Sequence, residues 1–244
     1  MGSPLTSAIV WKEPWQYLRR DNAYFNVIGH HLWNAGRIIS HYLEKHPSII
    51  KTKTILELGA GAGLPSLVSG ILGAKKVIVT DYPDVDLIQN LQYNIDNCSL
   101  LPKETEKVVA EGYLWGADPG PLLKYLPNED DTDKGFDVLI LADLLFNHSE
   151  HQKLVKTIDL TLKTSPQTTE SREEPNALVF FTPYRPWLFD KDMAFFDLCR
   201  ESGYVVEKIL EEKMEKVMFE EDRGDEELRR TVFGFVVRRK REGE

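Results

Sequence analysis

The sequence predicts an α/β fold: a mostly parallel sheet with helices on both faces, finishing in an antiparallel hairpin. Three observations carry this. Short apolar runs rich in β-branched residues alternate with segments of helical spacing along most of the 244 residues, the pattern of repeated strand–helix–strand units. The last two strand-like runs follow one another with no helix between them, and strands joined that way pair antiparallel. Between the first run and the first helix lies "GAGAG", glycine at every second position, which marks a backbone that bends sharply or touches a ligand.

In chain order, "YFNVIGHHLWNAGRIISHYLEKH" reads as a helix that delivers Trp33 towards the glycine loop. Thr54–Leu58 is a strand, Leu64–Leu72 a helix through Leu64, Leu67, Val68, Ile71 and Leu72, and Lys75–Asp81 the second strand. Apolar runs this short and continuous fit strands buried on both faces. Val85–Asn97 is a helix with Val85, Ile88, Leu91, Gln92 and Ile95 on one face, and Lys107–Tyr113 a third strand. Phe136–Asp143 is the fourth strand, Glu150–Leu162 a helix with Ser149 as its cap, Asn176–Tyr184 the fifth strand, and Asp190–Ser202 a helix. The hairpin is "GYVVEKILEEKM" and "RRTVFGFVVRRK", joined by an acidic turn, "FEEDRGDEE". "LPNEDDTDKG" and "TSPQTTESREEPN" read as loops.

A chain of this length suits one domain with a sizeable core. The expectation is a single domain over 22–241, preceded by a flexible extension over 1–21. A formal net charge of −9 opposes a broad phosphate-binding face, which needs Lys and Arg, so no nucleic-acid partner is expected. Cys98 and Cys199 are the two cysteines, too few for a disulfide framework, which fits a reducing, cytoplasmic setting. No apolar stretch reaches the ~18 residues of a membrane span, so no membrane partner is expected.

A strand, a glycine loop and a helix make a backbone cradle at the carboxyl edge of the sheet, beside a helix N-terminus. A dinucleotide fingerprint would carry its third glycine at position 64, where this chain has Leu64. Asp81, 20 residues beyond Gly61, is placed to accept from two ribose hydroxyls, a feature of NAD and S-adenosylmethionine sites alike. Glu57 ahead of the loop and the closing hairpin favour the methyl donor.

"ILELGAGAGLPSL", "VIVTDYPD", "GYLWG", "HHLWNAG" and "ADLLFNHSEH" together resemble the class I methyltransferases of lysine methyltransferase family 16. The resemblance runs from about Gly29 to the last strand. Its order and wording are most similar to the fungal branch acting on the N-terminus and an adjacent lysine of translation elongation factor 1-alpha, formerly described as nicotinamide N-methyltransferase-like. It implies a Rossmann-like seven-stranded sheet, S-adenosyl-L-methionine as cofactor and that elongation factor as protein substrate. It also implies that Trp33 closes over the methionine end of the donor, that Gly59, Ala60 and Gly61 pass beneath it, that Asp81 holds the ribose, and that Trp115 lies near the adenine. Ala142 stands where this family carries a hydroxyl residue, so a side-chain hydrogen bond is lost there.

"ADLLF" fits the family's D-x-x-[FY] pattern as Asp143 and Phe146, the two residues assigned to catalysis. Methyl transfer to nitrogen needs a neutral amine aligned with the sulfonium. The sequence assigns Asp143 to orienting that amine by a hydrogen bond, and Phe146 to lining its channel and favouring the growing cation. Asn147 and His148 are expected at the substrate mouth, with Arg185 and Trp187 of "TPYRPWL" gripping a peptide. His148 and His151 have no cysteine or third ligand beside them, so no metal is expected. A small-molecule acceptor of the nicotinamide kind is the competing reading.

Overall fold

"TILEL" forms β1 (Thr54–Leu58), and every one of its residues is buried, which fits a strand in the middle of a sheet covered on both faces. The computed structural model describes residues 32–102, 106–126, 134–164 and 174–241. The 1–21 extension and the central parts of the two polar loops lie outside the described residues. β1 pairs in parallel with β2 (Lys76–Asp81) and β4 (Val138–Ala142); β2 pairs with β3 (Val108–Gly112), and β4 with β5 (Asn176–Phe181). β7 (Thr231–Arg239) runs antiparallel to β5 and to β6 (Tyr204–Lys213), with an irregularity in β6 between Lys208 and Leu210. The strand order is β3-β2-β1-β4-β5-β7-β6. The order reverses at β1 and β4, and in open α/β sheets ligands bind beyond the carboxyl ends of strands at such a switch point.

Helices cover both faces. α1 (Asn34–Lys45), α2 (Leu64–Ile71) and α3 (Val85–Asn97) contribute Ile39, Leu43, Leu64, Val68 and Leu91 to one apolar cluster against the sheet. The short α4 (Gly120–Leu123), with α5 (His151–Thr161) and α6 (Phe189–Glu201), builds the other, through Leu122, Leu154, Ile158, Phe195 and Phe196. Each large apolar side chain buried this way stabilises the fold by roughly 1.5–3 kcal/mol.

Among the described residues the predicted elements are present: Thr54–Leu58 and Val85–Asn97 keep their predicted ends, the others move by a residue or more, and the first part of the predicted first helix, 24–31, lies outside the described residues. Two local expectations are corrected. Val85 is exposed: it sits in the first turn of α3, held by Asp84, whose carboxylate accepts the N–H of Asp86 at 2.9 Å. The inner face of that helix instead uses Asn94, whose Nδ2 donates to the Ala62 carbonyl at 2.9 Å. Ser149 does not cap α5. It lies in a 3-10 turn, His148–Glu150, and its hydroxyl donates to Asn147 Oδ1 at 3.0 Å. The acidic turn holds one further short helix, α7 (Glu226–Arg229), capped by Asp225, which accepts from Glu227 N at 2.8 Å. Among the described residues no helix is long and apolar enough to cross a membrane.

Candidate functional site

The chain leaves β1 through Gly59, Gly61 and Gly63, with φ of 55°, 55° and 74°. Side chains rarely adopt that left-handed region, which explains the alternating glycines. The loop is laced to β2 by Ala60 N–H donating to the Thr80 carbonyl at 2.9 Å. A Cβ on Gly59 would stand 2.7 Å from Leu144 Cδ2 and 3.1 Å from Trp115 Cζ2, so Trp115 forms a wall directly against the turn. Asp81, at the carboxyl end of β2, accepts Gly61 N–H on Oδ2 and Tyr82 N–H on Oδ1, each at 2.7 Å. These two bonds aim the carboxylate at the loop. A carboxylate, a glycine turn without side chains and a flat indole side by side fit an adenosine nucleoside carrying a methionine tail.

Beneath the loop, Glu57 is buried in β1. Ser66, in the first turn of α2, donates both its backbone N–H, at 2.9 Å, and its hydroxyl to Glu57 Oε2, tying strand to helix across the turn. Desolvation outweighs these bonds and pushes the carboxyl up to about 8 from its ordinary 4.5. The unfolded chain releases this proton near 4.5 while the folded chain keeps it to about 8, so stability falls as pH rises across that window and levels off above it. The slope expected from one such proton is at most about 1.4 kcal/mol per pH unit. Thermal midpoints measured from pH 5 to 8 should decline more steeply in the wild-type chain than in Glu57→Gln; parallel declines would refute this assignment.

The second centre lies at the end of β4, past Ala142, which is half-buried. Asp143 has φ of 56°, a left-handed conformation that Asp tolerates better than most residues. Its N–H donates to the Phe180 carbonyl at 2.8 Å, continuing the β5 ladder. Its buried carboxylate is surrounded: Ala35 N–H donates to Oδ2 at 2.9 Å, Thr182 N–H to Oδ1 at 2.7 Å, and the Tyr184 hydroxyl to Oδ2 at 3.3 Å. Burial raises its pKa to about 7, against the pull of these donors. Asp143 thus joins the ends of β4 and β5 to the N-terminus of α1. Trp33 precedes α1 and packs edge-on against Tyr184, ring centroids 5.0 Å apart, and against Phe219, 5.7 Å apart.

The outer rim is less ordered by packing. Phe146 is 43% exposed and Trp187 64%. Arg185 Nη2 donates to the Phe146 carbonyl, bringing a residue expected to grip the peptide beside one expected to line the amine channel. The β6–β7 connection reaches the same rim, where Gly224 backs onto Pro186 and Trp187. Asn147 accepts from Ser149, and His148 Nε2 lies 2.7 Å from Asp192 Oδ1 on α6, a buried carboxylate whose pKa burial raises. His151 Nε2 is 2.8 Å from the Leu145 carbonyl, and its pKa is lowered by burial. Each histidine is engaged with a protein oxygen.

Thr182, Tyr184, Met218 and Phe219 escaped the sequence reading. The first two lie inside "TPYRPWL", where an aromatic directly before the suspected mouth residue Arg185 was the available signal. The last two sit at the start of an acidic turn that reads as solvated, and nothing local reveals that Phe219 folds back onto Trp33 and Met218 onto Tyr184.

The sequence profile of the lysine methyltransferase family matches residues 13–182. The protein N-terminal and lysine N-methyltransferase of Neurospora crassa is 54% identical over 212 residues, covering 86% of this chain and 73% of that protein. The enzyme of the same name from Gibberella zeae is 47% identical over 242 residues, covering 97% and 84%. Among solved structures, the YcgJ protein of Bacillus subtilis has a TM-score of 0.56 at 12% identity, over 83% of this chain and 98% of that one. TYW2 of Pyrococcus horikoshii, solved in complex with MeSAdo, has a TM-score of 0.51 at 18% identity, over 86% and 65%. The two structures share the fold. The profile match and the close relatives add the chemistry, and the chain belongs to the lysine methyltransferase family, as an S-adenosylmethionine-dependent methyltransferase.

Proposed function

We propose that this enzyme methylates the N-terminal amine of a cytoplasmic protein, with an adjacent lysine as a second acceptor, and that the protein is translation elongation factor 1-alpha. The observation that carries the reading is the activity in the relatives' names, protein N-terminal and lysine N-methylation, at 47–54% identity over most of both chains. The cleft supports it. Asp81 takes the ribose hydroxyls, the turn Gly59–Gly61 runs beneath the methionine end, Trp115 bounds the adenine side and Trp33 the methionine side. The bound donor supplies an electrophilic methyl on sulfur.

The chain's own residues align and desolvate the amine, effects worth up to ~7–11 kcal/mol in favourable cases. Asp143, its carboxylate fixed by three donors at the end of β4, orients the amine; its negative charge stabilises the cation as it forms. Phe146 lines the approach, and Asn147, His148, Arg185 and Trp187 receive the peptide around it. The exposed carboxylates of Glu220, Glu221 and Asp222 at the rim suit a basic peptide.

An α-amine has a pKa near 8 and a lysine near 10.4, so the N-terminus offers neutral nucleophile at pH 7 without a strong base. The test is a peptide copying the start of elongation factor 1-alpha, compared with the same peptide acetylated at its N-terminus. Acetylation should abolish most labelling, and the rate on the free peptide should rise to about pH 8 and then flatten. Full labelling of the acetylated peptide would leave lysine as the sole target. Labelling of nicotinamide with neither peptide labelled would replace the protein acceptor by a small amine.

A further inference from the structure

We propose that Tyr184 is a positioning residue for methyl transfer, setting Trp33 and the Asp143 carboxylate in one frame through its ring and its hydroxyl. The inference rests on the reading of this cleft as the acceptor site. Tyr184 touches each wall that has to be in register. Its hydroxyl accepts the N–H of Asn34, the first residue of α1, at 3.2 Å. It faces Asp143 Oδ2 at 3.3 Å and Met218 Sδ at 3.5 Å. A hydroxyl has one proton to give, and a carboxylate is a far stronger acceptor than a thioether, so the proton goes to Asp143. The ring packs against Trp33 and, 6.3 Å away, against Phe219 of the β6–β7 connection. One phenol therefore spans the start of α1, the end of β4 and the acidic connection.

The chemistry of the hydroxyl makes this more than packing. Burial and the nearby Asp143 charge hold the phenol well above its ordinary pKa of 10, so it remains a neutral donor throughout the working pH range. The groups bearing on the Asp143 carboxyl are Ala35, Thr182 and Tyr184, of which Tyr184 alone is ionisable. Two of those donors are backbone N–H groups, which every residue except proline retains. The third is the phenol, and deleting it withdraws a hydrogen bond that favours the ionised carboxylate. The carboxylate then ionises at higher pH and loses one of the bonds that aims it.

Tyr184→Phe isolates the hydroxyl, since the ring and its contacts with Trp33 and Phe219 stay. Three measurements decide the matter. Carboxyl-carbon NMR, with the Asp143 signal identified by its loss in Asp143→Asn, should show the titration of Asp143 move upward by roughly half a pH unit or more. Turnover on the N-terminal peptide should fall about tenfold, with the acidic limb of the rate–pH profile moving the same way. Affinity for S-adenosylhomocysteine by calorimetry should stay within about twofold, as the indole wall is retained. Tyr184→Ala, which removes the ring as well, should weaken that affinity too; if this variant does not fold, the phenylalanine variant stands alone. An unmoved Asp143 titration, or a moved titration with wild-type turnover and pH profile, overturns the proposal. If the wild-type chain labels no protein N-terminus, the acceptor reading fails, and the titration still decides whether the phenol governs the carboxylate.

Discussion

Asp143→Asn lowers turnover about 100-fold, equivalent to about 2.7 kcal/mol of transition-state stabilisation, with donor affinity falling less than about fivefold. Asparagine is the informative replacement because Asp143 sits at a φ of 56°, which Asn tolerates. Alanine would add about 1–2 kcal/mol of backbone strain to any functional loss. The amide keeps one acceptor oxygen for Thr182 N–H and turns a donor NH2 towards Ala35 N–H and the Tyr184 hydroxyl, which now donate to Oδ2 at 2.9 and 3.3 Å. A buried donor left unpaired costs roughly 1–3 kcal/mol, and the negative charge beside the developing ammonium is lost as well. Single-turnover kinetics and calorimetry with S-adenosylhomocysteine separate the two effects. Equal losses in turnover and donor affinity would make Asp143 a scaffold residue, and full activity would remove it from the reaction altogether.

The second large effect belongs to donor binding. Asp81→Ala weakens S-adenosylmethionine binding by roughly 1–3 kcal/mol, the range for a lost charge-assisted hydrogen bond, or about 5- to 150-fold in affinity. The structure adds a second reason. Asp81 also accepts the Gly61 N–H at 2.7 Å, so its removal frees a loop whose three left-handed glycines have little stiffness of their own. Calorimetry against the donor, its demethylated product and NAD checks this, with binding to the first two and none to NAD. Donor binding unchanged in Asp81→Ala would detach the residue from the ribose, and binding of NAD alone would reverse the reading of the glycine loop.

Most of the fold was legible because it is written in local patterns. A run such as "TILEL", apolar throughout, forms a doubly covered strand, and two strands without an intervening helix formed the hairpin of β6 and β7. At Asn94 the sequence misled because a polar atom had found a distant partner. Asn94 breaks the apolar face of α3 because its side chain satisfies the Ala62 carbonyl. Val85 fits the same face by periodicity, but it lies in the first turn of the helix and stays exposed.

The sequence by itself determined the glycine turn, the acid at the end of β2 and the D-x-x-F run at the end of β4, since each depends on residues adjacent in the chain or separated by one strand–helix unit. Only the tertiary structure decided what surrounds Asp143. Its donors come from positions 35, 182 and 184, and Phe219 reaches Trp33 from the far side of the hairpin. Those neighbours are set by the order β3-β2-β1-β4-β5-β7-β6, which lays the ends of β4 and β5 side by side beneath the start of α1. Burial by distant segments is also what raises the Asp143 carboxyl to about 7: desolvation depends on everything that packs around a group, and no pattern of neighbouring residues encodes it.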